Sequence, residues 1–192
     1  MNPKKLANFA TGSGTNAENI IRYFSGDKQV QVSLILSNNK DAYVLERAKG
    51  YGITSLVFDR DNFYKTDDIL NQLVSNRIFL IVLAGFLWLI PQKILQAFPG
   101  KIVNIHPALL PKYGGKGMYG DRVHQAVIDN GEKESGITIH YVNEEYDKGS
   151  IIFQARCKVL SSDTPESLAA RVHQLEYRYY PEIIGNLLRK KA

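Results

Sequence analysis

The chain has 192 residues, a formal net charge of +5 and a sequence pI near 9.2. Its hydrophobic content of 44% and charged content of 22% are those of an ordinary folded protein, which excludes a disordered chain. No apolar run approaches the ~20 residues of a membrane helix. The residues after Met1 lack the apolar segment of a secretion signal. We therefore expect one domain, residues 1–192, in the cytoplasm, with no membrane partner.

Charge and cysteine usage argue against several further classes of protein. The positive charges are spread along the chain, and the only tight basic run, Arg189-Lys190-Lys191, is interpreted as a frayed tail. No nucleic-acid partner is therefore expected. Cys157 is the only cysteine, so an internal disulfide is excluded. The four histidines and this cysteine show no paired spacing of the zinc type, so no metal is expected.

The first half of the chain alternates strand-like and helix-like segments. Apolar runs predict strands at residues 6–10, 30–36, 53–58 and 79–84 and a fifth that ends at 106. Helical patterns lie at 17–24, 41–49 and 66–75, another helix starts at Pro91, and residues 59–62 are predicted to be a loop. This order predicts an α/β fold built on a doubly wound, mostly parallel sheet.

The second half has a different texture. Four glycines between residues 114 and 120 predict a flexible loop, and a helix follows at 121–129. Strands predicted at 137–142 and 151–160, joined by a turn at 143–149, form an antiparallel hairpin near the C-terminus. Thr164 is the predicted N-cap of the last helix. That helix is expected to stop near Tyr180, because Pro181 breaks it, and a short helix follows.

Two polar residues interrupt the fifth predicted strand close to its end. Asn104 and His106 lie two positions apart, so their side chains point to the same face. The strand stops at His106 because Pro107 cannot donate to a sheet. Ligands of open α/β sheets bind at this carboxyl edge. An imidazole and an amide donor there have the chemistry to move a proton and hold an oxyanion, although the spacing alone favours a pair that faces water.

A glycine-rich turn joins the first predicted strand to the first helix, with the sequence Thr11-Gly12-Ser13-Gly14-Thr15-Asn16. A strand, a turn of this kind and a helix N-terminus direct backbone N–H groups at an anion. Its small polar side chains also suit an N-cap. Two glycines and three such residues exceed the needs of a turn, so a phosphate cradle is favoured. A dinucleotide site is disfavoured, because the second strand has no carboxylate before Asp41.

An apolar segment, residues 86–90, follows the fourth predicted strand and looks exposed. Two interpretations remain open: the wall of a pocket for a flat heterocycle, or a helix N-terminus packed into the core. A second open question concerns Asp147 in the turn of the hairpin. Turn aspartates usually cap or face water. A carboxylate beside His106 would instead raise the pKa of the imidazole, which the proposed chemistry needs.

Several motifs together resemble one known family, and the resemblance covers almost the whole chain. They are Gly12-Ser13-Gly14-Thr15-Asn16, Leu83-Ala84-Gly85-Phe86, Asn104-Ile105-His106-Pro107-Ala108-Leu109-Leu110-Pro111-Lys112-Tyr113, Gly115-Lys116-Gly117-Met118-Tyr119-Gly120 and Asp147-Lys148-Gly149. The chain resembles the phosphoribosylglycinamide formyltransferases, folate-dependent enzymes of purine synthesis. The Asn-Ile-His-Pro block with the later Asp-x-Gly is specific to folate formyl-transfer domains.

The resemblance implies a role for particular residues. The catalytic residues would be Asn104, His106 and Asp147. The ribonucleotide would bind Gly14, Thr15 and Asn16 through its phosphate, Glu176 through its amine end, and also Gly85 and Pro107. The folate would bind Arg60, Leu87, Trp88, Leu89, Ile90 and Asn104. Trp88 stands where relatives often have a basic residue, and His173 stands where some have Gln. These departures affect the expected contacts to the folate tail and the ribose, and they leave the catalytic residues unchanged.

The implied reaction moves a formyl group from 10-formyltetrahydrofolate, a co-substrate, to the amine of glycinamide ribonucleotide. Asn104 would donate to the tetrahedral oxyanion, protonated His106 would supply a proton to the departing folate nitrogen, and Asp147 would keep His106 charged. The partners expected are these two small molecules, with the protein a monomer or homodimer. The alternatives are a formyltetrahydrofolate hydrolase, an initiator-tRNA formyltransferase and a non-catalytic nucleotide-binding module.

Overall fold

The computed structural model describes residues 2–189. Its strands are β1 (Lys4–Phe9), β2 (Val30–Ser37), β3 (Thr54–Val57), β4 (Ile78–Leu83), β5 (Ile102–His106), β6 (Glu134–Tyr141) and β7 (Ile151–Lys158). Its helices are α1 (Thr15–Tyr23), α2 (Tyr43–Gly50), α3 (Arg60–Tyr64), α4 (Asp68–Ser75), α5 (Gln92–Ala97), α6 (Asp121–Asp129) and α7 (Pro165–Arg189).

The seven strands form one sheet in the order β3-β2-β1-β4-β5-β6-β7. Strands β1 to β5 pair in parallel, whereas β6 pairs antiparallel with both β5 and β7. The predicted α/β class, the doubly wound sheet and the C-terminal hairpin are therefore confirmed. The hairpin strand β6 begins three residues before its predicted start, because Glu134 already pairs with Lys158.

Apolar residues cover both faces of the sheet. One core cluster packs α1, α2, α6 and α7 on one face, and a second packs α3, α4 and α5 on the other. Within β1 the faces alternate, so Leu6 belongs to the first cluster and Ala7 and Phe9 to the second. Burial on both faces explains why the parallel strands are continuous apolar runs.

The strand order reverses between β1 and β4, which are neighbours in the sheet although two strands separate them in the chain. Strands added after β1 extend the sheet in one direction, and those from β4 onward extend it in the other. The loops that follow β1 and β4 therefore diverge and leave a crevice at the carboxyl edge. This is the position where open α/β sheets bind ligands.

The loop predicted at residues 59–62 is wrong, because α3 begins there. Asp59 is the N-cap of this helix, and its side chain accepts a hydrogen bond of 2.8 Å from the backbone N–H of Asn62. An Asp at the N-cap satisfies one of the free N–H groups of the first turn. This short helix positions Phe63 in the second core cluster.

The predicted break at Pro181 is also wrong, because α7 continues through it to Arg189. A proline inside a helix leaves the carbonyl four residues earlier without its N–H partner. That carbonyl belongs to Tyr177, and the side chain of Asn19 in α1 donates a hydrogen bond of 2.7 Å to it. Because α1 replaces the missing donor, the helix passes through the proline and Tyr180 remains fully buried.

Two expectations concern the ends of the chain and its relation to membranes. Of the basic run at 189–191, Lys190 and Lys191 lie outside the described residues. Within residues 2–189, no helix combines the length and apolarity needed to cross a membrane.

Candidate functional site

A cavity of about 610 Å³ opens at the carboxyl edge of β1, β4 and β5. Asn104 and His106 both line it, as expected from their spacing in β5. The strand ends at His106, directly before Pro107. His106 is buried and Asn104 half-buried, so neither is simply a water-facing residue at a strand end. A volume of this size suits small-molecule ligands.

The structure brings Asp147 to His106. Asp147 Oδ2 lies 3.5 Å from Nδ1 of His106, and Oδ1 lies 3.5 Å from Nε2 of His140. The backbone N–H of Gly115 donates to Oδ2 at 2.9 Å. Asp147 has a φ of +56°, a left-handed conformation that short polar side chains tolerate and that turns the carboxylate into the cavity.

The glycine-rich loop packs so closely against Leu110 and Asp147 that position 114 has no room for a side chain. A Cβ at Gly114 would lie 2.5 Å from Leu110 Cδ2 and 3.2 Å from Asp147 Cβ. The neighbouring Tyr113 has a φ of +58°, and its carbonyl lies 2.7 Å from Nε2 of His106. The loop is therefore held against both members of the His–Asp pair.

The charge states of this pair differ from the sequence expectation. Burial lowers the pKa of His106 and outweighs the opposite effects of Asp147 and the Tyr113 carbonyl. Asp147 does raise the pKa of His106, as expected, but the expectation that it keeps the ring protonated is wrong because burial has the larger effect. Burial also acts to raise the pKa of Asp147, but hydrogen bonding to His140, the nearby His106 and the Gly115 N–H together lower it. Asp147 is thus a carboxylate at neutral pH.

His140 is a site residue that the sequence interpretation missed. It lies opposite Asn104 in the β5–β6 register, and its Nε2 is 3.1 Å from Asn104 Nδ2. Its Nδ1 donates a hydrogen bond of 2.8 Å to the carbonyl of Tyr141, which turns Nε2 toward Asn104 and Asp147. The signal was the polar face of the alternating strand, which Thr138 and His140 share although both are buried.

The glycine-rich turn forms one wall of the cavity, to which Gly12, Ser13, Gly14, Thr15 and Asn16 all contribute. Gly14 is the N-cap of α1 with a φ of +71°, and a Cβ there would lie 2.3 Å from Val44 Cγ2, so only glycine fits. No side chain caps the helix, so the small polar side chains of the turn do not serve as its N-cap. The N–H groups of the first turn remain available to an anion.

The side chain of Asn16 does not cap α1 but bonds to a residue of α7. Its Nδ2 donates to Oε2 of Glu176 in α7 at 2.8 Å, and its buried Oδ1 has no partner among residues 2–189. Glu176 is buried, which raises its pKa. Both residues line the cavity, so they present acceptor atoms beside the glycine-rich turn.

The apolar segment after β4 satisfies both interpretations left open by the sequence. Phe86 and Ile90 are buried in the second core cluster. Leu87 is 39% exposed, Trp88 and Leu89 are half-buried, and all three line the cavity, as does Gly85 at the start of the loop. The expectation of an exposed segment is therefore wrong for its two ends and right for Leu87.

Arg60 does not line the cavity, unlike the other residues proposed to bind substrates. It is exposed at the start of α3, and its guanidinium carbon lies 5.0 Å from the ring centroid of Trp88 and 5.9 Å from that of Tyr64. The Tyr64 hydroxyl in turn donates to the carbonyl of Leu89 at 2.9 Å. Arg60 thus stacks on the outer side of the cavity wall.

Thr11 ties the glycine-rich turn to the apolar wall. Its N–H donates to the carbonyl of Gly85 at 3.0 Å, and its hydroxyl accepts from the N–H of Leu87 at 3.2 Å. The same hydroxyl donates to Asn38 Oδ1 at 2.8 Å. One residue therefore fixes the distance between an anion-binding end and an apolar end of the cavity.

These features define a class, an α/β enzyme with a small-molecule cavity at the switch point of its sheet, lined by an imidazole, an amide and a carboxylate. Residues 4–184 match the sequence profile of a family described as formyl transferase. The chain belongs to this formyl transferase family.

Named relatives agree with this assignment. The chain is 43% identical over 194 residues to the chloroplastic phosphoribosylglycinamide formyltransferase of Arabidopsis thaliana, over 98% of this chain and 66% of that protein. It is 42% identical to the phosphoribosylglycinamide formyltransferase of Haemophilus influenzae, over 94% of this chain and 85% of that one. The crystal structure of phosphoribosylglycinamide formyltransferase from Anaplasma phagocytophilum superposes with a TM-score of 0.88 at 34% identity, covering 97% of this chain and 88% of that chain.

The chain thus spans just under two thirds of the Arabidopsis relative and most of the bacterial one.

Proposed function

We propose that this protein transfers the formyl group of 10-formyltetrahydrofolate to the amine of glycinamide ribonucleotide, as a phosphoribosylglycinamide formyltransferase of purine synthesis. One observation carries the proposal. A single cavity is lined by the Asn104, His106 and Asp147 constellation, a glycine-rich helix N-terminus suited to a phosphate, and an apolar wall suited to a pterin. The relatives that bear this name at 42–43% identity support it.

The two substrates occupy opposite chemical environments of the cavity. The phosphate binds the N–H groups at Gly14, Thr15 and Asn16, and the amine end lies toward Glu176. The pterin packs on Leu87, Trp88, Leu89 and Ile90 and also meets Asn104, while Gly85 and Pro107 contact the ribonucleotide. Arg60, on the outer side of Trp88, attracts the carboxylates of the folate tail. Holding both substrates in one cavity makes the attack effectively intramolecular.

The chemical step is a direct transfer. The amine nitrogen attacks the formyl carbon, and the carbonyl electrons form a tetrahedral oxyanion. Asn104 donates to that oxygen, and so does the Nε2–H of His106 once the substrate displaces the Tyr113 carbonyl. The proton lost by the attacking amine passes to the His106–Asp147 pair. The pair returns a proton to N10 of the folate as the carbon–N10 bond breaks, which releases tetrahydrofolate and the formylated ribonucleotide.

The resting state of this step differs from the one the sequence suggested. Because burial lowers the pKa of His106, the ring is neutral before the amine attacks. A neutral imidazole takes up a proton more readily than an imidazolium. The adjacent carboxylate of Asp147 then stabilises the charge that the ring acquires.

Absorbance during incubation with a 10-formylfolate analogue separates this function from its rivals. Release of the deformylated folate only when glycinamide ribonucleotide is present supports transfer. Release without the ribonucleotide indicates a formyltetrahydrofolate hydrolase. No release, whether the ribonucleotide is present or absent, indicates a nucleotide-binding module. Gly14→Ala should raise the KM for the ribonucleotide and leave the KM for the folate unchanged. Gly50→Ala, where a Cβ meets nothing within 4 Å, is the matched control.

We further propose that the protein acts on these small molecules in the cytoplasm, as a monomer or homodimer without a metal or nucleic acid. An initiator-tRNA formyltransferase would need a basic nucleic-acid surface. The cavity instead presents acceptor atoms of Glu176 and Asn16 beside the phosphate end. This is the specific observation against the tRNA substrate.

A further inference from the structure

His124 is an anomaly on the buried face of α6. Its neighbours on that face are Val123 and Val127, and the residue is 1% exposed. An apolar side chain would satisfy such a position. Nδ1 of His124 has no hydrogen-bond partner among residues 2–189, yet the residue lines the large cavity. A buried polar atom without a partner requires an explanation, and a ligand in the cavity is one.

The charge state of His124 restricts which ligand atoms suit it. Burial, with His173 and His106 acting in the same direction and Asp121 opposing them, lowers the pKa of His124 to about 4. The ring is therefore neutral at pH 7. A neutral imidazole has one nitrogen that accepts a hydrogen bond and one that donates, and it offers no cation to the phosphate. His124 is thus suited to an uncharged polar group.

A second unpartnered atom belongs to Asn16, which lines the same cavity. Asn16 Oδ1 is buried without a partner among the described residues, and the bond from Nδ2 to Glu176 makes this oxygen an acceptor. The other buried unpartnered side chains, Asn8 and Ser135, do not line the cavity. The unpartnered atoms of His124 and Asn16 would therefore be satisfied by a ligand segment rich in N–H or O–H donors. The ribosyl-glycinamide part of the proposed substrate, with two hydroxyls, an amide N–H and an amine, has this chemistry.

We propose that His124 is a substrate-binding residue, whose Nδ1 accepts a hydrogen bond from an N–H or O–H donor of the ribosyl-glycinamide segment. This proposal rests on the proposed function. His124 lies near His106, so the bond orients the ribonucleotide beside the reacting centre. The folate does not contact it.

Two substitutions distinguish a binding role from a packing role. His124→Leu keeps a side chain of the core and removes the nitrogen, whereas His124→Asn returns an acceptor at the δ position. The affinity for glycinamide ribonucleotide is measured by calorimetry without folate, and thermal unfolding is followed at pH 7.5. We expect His124→Leu to raise the Kd about 10-fold or more without lowering the unfolding temperature, because it removes an unpaired polar atom. His124→Asn should stay within about threefold of the original Kd, and folate binding should be unchanged in both variants.

Three results would overturn the inference. The first is an unchanged Kd for the ribonucleotide in His124→Leu. The second is an equal rise of that Kd in His124→Leu and His124→Asn. The third is a rise of the Kd for folate in His124→Leu as large as the rise for the ribonucleotide. The proposed function fails separately, if the unsubstituted protein neither binds glycinamide ribonucleotide nor formylates it.

Discussion

The buried imidazole of His124 makes the stability of the protein depend on pH in a way that one substitution removes. Its pKa is lowered from an ordinary 6.5 to about 4 in the folded protein. Between these values the unfolded chain binds a proton that the folded chain does not, so stability falls as the pH falls. At about 1.4 kcal/mol for each pH unit, the free energy of unfolding should decrease by about 3 kcal/mol between pH 6.5 and pH 4.

Urea unfolding at a series of pH values measures this effect, with circular dichroism as the signal. The stability difference between the unsubstituted protein and His124→Leu should change by about 3 kcal/mol from pH 7.5 to pH 4, in favour of the variant at low pH. Other titrating groups are common to both proteins and cancel in the difference. Parallel pH profiles for the unsubstituted protein and His124→Leu would refute the reasoning.

Three further substitutions test separate parts of the structure. Asn19→Ala should lower the free energy of unfolding by about 1 kcal/mol, because it leaves the half-buried carbonyl of Tyr177 without its donor, as urea unfolding would show. Gly114→Ala should reduce kcat about 10-fold or more in steady-state assays, because its Cβ displaces Asp147. Arg60→Leu should raise the KM about 5-fold for a folate donor with a glutamate tail, since an exposed ion pair contributes up to about 1 kcal/mol.

Each of these has a matched control. Pro181→Ala restores an N–H to the helix, so Asn19→Ala should cost less in that background, and an equal cost in both would contradict the role of Asn19. Gly50→Ala adds a Cβ in open space and should leave kcat unchanged. Arg60→Leu should not alter the KM for a donor that lacks glutamate, and a rise for both donors would mean that Arg60 acts through the wall at Trp88.

The architecture was readable from the sequence because its signals are local. Continuous apolar runs mark buried parallel strands, and the periodic helices between them give the doubly wound order. The pair Asn104 and His106 was also readable, since two residues on one strand necessarily share a face. The same local logic would have found α3, because Asp59 followed by Asn62 is a helix-start signal that the loop interpretation overlooked.

Other features depend on partners far along the chain. Pro181 does not break α7 because Asn19, 158 residues before Tyr177, supplies the missing donor. The alternation in β6 shows only that Thr138 and His140 share a face, and the pairing of β6 with β5, two segments far apart in the chain, decides that His140 lies opposite Asn104. The net pKa of His106 likewise depends on burial, which only the assembled cavity sets. Such contacts are tertiary, and the sequence patterns therefore do not reveal them.

Formyl transfer by His106→Ala tests the central claim most directly. Single-turnover transfer from a 10-formylfolate donor to glycinamide ribonucleotide is measured alongside the calorimetric Kd of each substrate. We predict a loss of transfer of about 10³-fold or more, with both Kd values within about threefold of those of the unsubstituted protein. A folded His106→Ala variant that binds both substrates and transfers the formyl group within about 10-fold of the original rate would contradict the account.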